Sequence, residues 1–189
     1  MKYFSNRSQL VRMDFHTRLI MTFFLVFMLL ATGISIYMSY QRTQLTAVGG
    51  AEYYRGSDDR MLFPKEPTEL IETTHFHLFI MPLIFLTVGH LFLMSAWSSR
   101  WKTFVVTSCF IYILLDVAKP WVIRYGAEGF GALAPINSAL LGLTMLICIV
   151  VPIYEMWFWR PRGDSGPPSA HKERARGSIH PSDPPVGLP

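Results

Sequence analysis

Thr68-Glu-Leu-Ile-Glu72-Thr-Thr-His75-Phe-His77-Leu-Phe-Ile-Met81-Pro82-Leu-Ile-Phe-Leu-Thr-Val-Gly89-His90-Leu-Phe-Leu-Met94-Ser-Ala-Trp97 is the stretch whose reading decides the fold. From Thr74 to Ala96 it is apolar over a length that crosses a hydrocarbon core of about 30 Å as one helix, for which ~20 residues suffice. Three of the protein's six histidines are in it. An imidazole is costly in hydrocarbon and is normally turned toward a bundle interior, a cavity or a bound ion, so this segment is also the first place to look for a site.

Three further apolar runs have the same character: Leu19 to Tyr37, Thr103 to Ile123 and Leu133 to Tyr154. A chain that is 51% hydrophobic and only 16% charged, with its apolar residues in four such blocks, reads as an integral membrane protein. The fold class expected is all-α, an integral membrane four-helix bundle with spans at about 19–39, 74–97, 103–123 and 133–155. Aromatic belts mark the ends of the runs: Tyr37 and Tyr40, Trp97 and Trp101, Trp121 and Tyr125, Tyr154 and Trp157. The first run exceeds the ~7–15 residues of a signal-peptide core and no small-x-small cleavage site follows it, so it reads as an uncleaved span.

Lysine and arginine placement sets an expected orientation. Lys2, Arg7, Arg12, Arg18, Arg100, Lys102, Arg160, Arg162, Lys172, Arg174 and Arg176 fall on one side; Arg42, Arg55, Arg60, Lys65 and Arg124 fall on the other. The positive-inside rule then puts both termini in the cytoplasm of a multi-pass inner-membrane protein. Residues 1–18 become a basic cytoplasmic tail and 40–67 a periplasmic loop. Residues 160–189, rich in proline, glycine and serine without an apolar period, become a disordered tail in which His171 and His180 are inert. The net charge of +4 is mostly this asymmetry and reads as a topology signal with attraction to anionic lipid, not as nucleic-acid binding.

Within the central stretch, helical spacing sorts the histidines. His75 and His77 are ~200° apart, so one points into the bundle while the other faces elsewhere. Glu72, His75, Phe79, Pro82 and His90 share one broad face. His75 and His90 are separated by ~22 Å of helix and belong to two levels. Thr68 is the expected N-cap, and Gly33, like Ser138 and Gly142, is expected to admit a close neighbour.

Span three carries Asp116 and, three residues on, Lys119. Counted inward from the loop, Asp116 lies near the depth of His77 and Met81, so this carboxylate is expected to pair with Lys119 and to reach a histidine. Glu72, Asp116 and Lys119 are thus supporting or proton-handling candidates. At the other level His90, Cys109 and Cys148 fall at one depth, a set whose soft donors suit copper or zinc. Histidines in a bundle also suit axial ligation of heme b. In size and topology the chain resembles small four-helix membrane cytochrome b subunits, although it lacks their repeated histidine pairs on separate helices.

The cofactor-binding candidates are therefore His75, His77 and His90, and the metal candidates His77, Met81, His90, Cys109 and Cys148. No P-loop, dinucleotide-binding glycine pattern, HExxH or GxSxG motif is present. The expected function is a small inner-membrane redox subunit binding heme b or copper through the second span and passing electrons between a periplasmic electron-transfer protein and the membrane. The alternative is a non-redox module: a metal or proton pathway, or an accessory subunit. Either would work as a homo-oligomer or within a membrane complex in the lipid bilayer.

Overall fold

In the computed structural model, which describes residues 10–159, five helices follow a short turn at Leu10–Arg12: α1 (Phe15–Thr43), α2 (Ala47–Arg55), α3 (Pro67–Leu93), α4 (Ser99–Tyr125) and α5 (Leu133–Trp157). The expectations for residues 1–9 and for the tail from 160 lie outside the described residues. Four of the helices, all but α2, are long and apolar enough to cross a membrane. They are apolar nearly all round, as lipid-bathed helices are. Phe23, Phe27 and Leu30 of α1 and Phe79, Leu83 and Leu86 of α3 are exposed, whereas Leu25, Phe85, Val88, Phe92, Ile113 and Ile149 are buried between helices. This is an all-α membrane bundle.

The helix ends follow local capping chemistry. Asp14 caps α1 by accepting from the Thr17 amide at 3.0 Å, and this hydrogen bonding, with that from the Thr17 hydroxyl, holds its carboxyl below the usual range. At α3 the N-cap is Glu66, not Thr68: Pro67 occupies the first turn, and Glu66 and Glu69 form a reciprocal capping box. Proline preset for a first helical position and an acidic third residue outweigh the threonine's own capping preference. The α3 helix continues through Pro82.

The loop expected at 40–67 is not simply a loop. Gln44 and Leu45 turn the chain with left-handed backbone, and Thr46 then caps α2. Gly50 and Gly131 bring α2 against the α4–α5 connection, itself a 3-10 turn at Glu128–Ala132. A Cβ on Gly50 would lie 2.5 Å from the Gly131 carbonyl oxygen, and one on Gly131 would lie 2.2 Å from that of Ala47. Only glycine permits this approach. Gly33, by contrast, has nothing within 4 Å of where its Cβ would be, so it brings no neighbour close. The close contact is instead between α1 and α5, where the Ser39 and Ser138 hydroxyls are 3.1 Å apart and Ile36 sits over Gly142.

Both ends are tied by charged side chains bound to backbone. At the α2 end, Arg55 donates to the carbonyls of Ile123, at 2.6 Å, and Gly126, and Arg124 to that of Lys65 at 3.2 Å. At the opposite end, Arg18 donates to the carbonyls of Val11, Met13 and Met156, Lys102 to that of Leu93, and Glu155 accepts from the Ala96 amide at 2.7 and 2.9 Å. These bonds satisfy carbonyls and amides that helix ends would otherwise leave bare.

Candidate functional site

α1 packs along α5, and α3 along α4 and α5, but α1 and α3 are not a closely packed pair. Between them is a cleft of about 310 Å³. Its walls are α1 and α3, its floor α4 and α5, and Tyr53 and Tyr54 of α2 cover one end. The volume is at the lower end of the ~300–1,000 Å³ typical of small-molecule sites.

Asp116 is on the floor and is buried. Its carboxylate accepts from the Lys119 ammonium at 2.5 Å and the Asn137 amide at 3.1 Å through Oδ1, and lies 2.9 Å from His77 Nδ1 through Oδ2. An ionised carboxylate only accepts, so Nδ1 carries the hydrogen and donates. In the neutral imidazole, Nε2 is then a bare lone pair, and it has no hydrogen-bond partner among the described residues. Lys119 compensates the aspartate charge. The cluster thus pairs one acid with one cation and ends, on its cleft side, in the His77 imidazole.

Tyr54 adds a second polar group. Its side chain makes no hydrogen bond among the described residues, although it lines the cleft. Burial, then Tyr53 and the charge of Asp116, raise its phenol above the ordinary value, so it remains a neutral donor. Arg42, exposed at the mouth, lies over the Tyr53 ring at 5.8 Å. Deeper in, Met28, Met81, Ile84, Phe85, Leu141 and Met145 make the lining apolar.

The other candidates fall elsewhere. His75 is exposed and lies tilted beside Phe79, with ring centroids 5.0 Å apart; Glu72 and His90 are exposed as well. The face shared by Glu72, His75, Phe79 and His90 is therefore directed outward, and the bundle receives the opposite side, with His77. Cys109 and Cys148 meet, their sulfurs 3.9 Å apart, and are buried as free thiols. His90 does not join them, because equal depth on three helices does not give equal direction. Among the described residues no three His, Cys, Asp or Glu side chains are grouped to hold a metal ion. Sequence reasoning missed Tyr53, Tyr54, Arg42 and Asn137. Only Asn137, a polar side chain just inside a span, gave a signal that could have been followed.

No curated protein and no solved structure matches the chain. A family model described as a transmembrane helical domain, Aq_1264_TM, matches residues 44–163. The match takes in α2 through α5, including Tyr54, His77, Asp116, Lys119 and Asn137; α1, one wall of the cleft, precedes it. With more than half of its length matched, this chain belongs to the Aq_1264_TM family of transmembrane helical domains.

Proposed function

We propose that the protein is a redox-linked subunit of the inner membrane that handles protons at His77. One arrangement supports the reading: a histidine whose Nδ1 is tied to a buried carboxylate while Nε2 is left to an intramembrane cleft. Ionisable groups inside a membrane are expensive, and those turned to a cavity mark ion, proton or ligand paths. Asp116 fixes the tautomer by accepting from Nδ1, Lys119 pairs with the carboxylate, and Asn137 holds its orientation. The carrier whose proton His77 would accept reaches it through the apolar part of the cleft.

A second use of the same nitrogen is ligation of heme b or copper, since metal-binding histidines commonly donate their other N–H to a carboxylate. Met81, one turn from His77, also lines the cleft and favours this reading, thioether being a soft donor. Cofactor ligation then rests on His77 with Met81, and His75 and His90 have no part in it.

The test is nitrogen NMR of histidine-labelled protein in nanodiscs, with an absorption spectrum and elemental analysis of the same sample. Proton handling requires an Nδ1-protonated His77 that gains a second proton reversibly on acidification. A His77 that never titrates sinks that use. A heme band or stoichiometric copper that disappears in His77→Ala selects ligation instead. Both termini are assigned to the cytoplasm: a cysteine at Ser57 should react with an impermeant thiol reagent added to the periplasmic side and one at Ser169 should not. The reverse pattern overturns the orientation.

A further inference from the structure

We infer that the cleft binds a lipid-soluble quinol, its aromatic dihydroxy head at His77 and Tyr54 and its single tail running inward along α1 and α3. The inference rests on His77 being a proton acceptor and names the chemical class of what it meets. Four observations lead to it.

The first is polarity along the cleft. Arg42 and Met28 both line it and are 14 residues apart on α1, a rise of ~21 Å. Tyr54, His77 and Lys119 belong to its α2 end, and toward Met28 the lining turns to methionine, isoleucine and phenylalanine, interrupted on α1 by Ser35 and by Thr32, whose hydroxyl donates to the Met28 carbonyl. An occupant that satisfies both parts is amphipathic. The second is room: about 310 Å³ spread over that length is the scale of a ring and one chain.

The third observation is the kind of hydrogen bond on offer. With Nδ1 donating to Asp116, Nε2 of the neutral ring accepts. A phosphate diester or carboxylate head offers only acceptors at neutral pH; it could bond to Tyr54, Lys119 or Arg42 but would set lone pair against lone pair at Nε2. A phenolic hydroxyl donates to Nε2 and fits. The unpaired Tyr54 hydroxyl supplies a partner for the second oxygen of a dihydroxy ring. The fourth is the methionine content of the lining: Met28, Met38, Met81 and Met145 all border the cleft. Thioethers make favourable contacts with aromatic rings and adapt to their shape.

The experiment uses the full chain in quinone-free nanodiscs and a decyl-substituted benzoquinol, kept reduced, as the probe. Saturable one-to-one binding is expected, about tenfold weaker for the oxidised quinone, which cannot donate to Nε2. Tyr54→Phe should weaken quinol binding about two- to tenfold. Leu141→Trp, which fills the apolar part, should abolish it while leaving the NMR signature of His77 in place, so that loss through misfolding is recognised. Absence of saturable quinol binding overturns the inference. So does equal affinity for quinol and quinone, or a co-purifying phospholipid that excludes the probe. A His77 that titrates as expected in a protein that binds no quinol removes the quinol and leaves the proton-handling reading. A His77 that does not titrate removes that reading whatever binds.

Discussion

The two ends of this bundle treat their polar groups in opposite ways. At the end where α3 turns into α4, Glu155 is bound to the Ala96 amide, Lys102 to the Leu93 carbonyl and Arg18 to three carbonyls. Each charge is placed where a helix end or turn needs it. At the α2 end, Asp116 is bound by both Lys119 and Asn137, yet the network stops short, and Asn137 Oδ1 is buried without a partner. His77 Nε2 and the Tyr54 hydroxyl are left without protein partners beside a cleft. Charges bound to backbone at helix ends are structural, whereas polar groups left open beside a void are what a site looks like; the buried Ser95 hydroxyl at the first end also lacks a partner, but it borders no cleft.

The harshest way to break the comparison is to remove the carboxylate that the whole α2-end network shares. Asp116→Ala leaves the Lys119 ammonium without its buried partner, and losing one member of a buried pair costs about 3–5 kcal/mol. A large fall in thermal midpoint in detergent is expected, with Asp116→Asn falling less. If Asp116→Ala unfolds no sooner than wild type, the cluster is solvated and does not hold the α2 end together. Next in size is the cap. Gly131→Ala puts a methyl 2.2 Å from the Ala47 carbonyl oxygen, so α2 must move off the α4–α5 turn. A loss of about 1–3 kcal/mol is expected. Protection of the Tyr54 amide from hydrogen exchange should fall with it, and unchanged exchange would mean that α2 is held by other contacts.

How much of this could be read from the chain differs between the same two regions, for physical reasons. Spans are legible because hydrocarbon imposes length and composition on each of them separately. The pairing of Asp116 with Lys119 is legible because i and i+3 share a face, and its depth relative to His77 because both can be counted from one connection. Direction is not legible in that way. Helical periodicity gives the ~200° between His75 and His77 but not which of the two points inward; packing of α3 against α4 and α5 decides that. The same gap separates His90 from Cys109 and Cys148. The α2 cap was hidden for another reason: Gly49 and Gly50 look like turn punctuation, and the use of Gly50 depends on Gly131, some eighty residues away.

At the α3–α4 end, Glu155→Gln keeps an acceptor for the Ala96 amide and removes its charge. A loss of about 1–2 kcal/mol is expected, in line with a charged hydrogen bond becoming a neutral one. The His77 nitrogen spectrum should not change. Were it to shift, the two ends would be coupled through α5, and the division between a structural end and a working end would have to be given up.

The smallest effects should come from the histidines with the strongest claim in the sequence. His75 lies on the outer face of α3 beside Phe79, and His90 is exposed near the far end of the same helix. Neither has a hydrogen bond among the described residues, so His75→Ala and His90→Ala should each change stability by less than about 0.5 kcal/mol, as surface substitutions usually do. The titration of His77 and the binding of the quinol probe should be unaffected, because neither ring borders the cleft. The informative failure is specific. If His75→Ala removes a bound cofactor while His77→Ala retains it, then the outward face of α3 is the working one, covered in the membrane by a second copy or another subunit. If His90→Ala does so, the level of Cys109 and Cys148 gains a ligand from across such an interface. Either result would turn the bundle's interior from the site into its support.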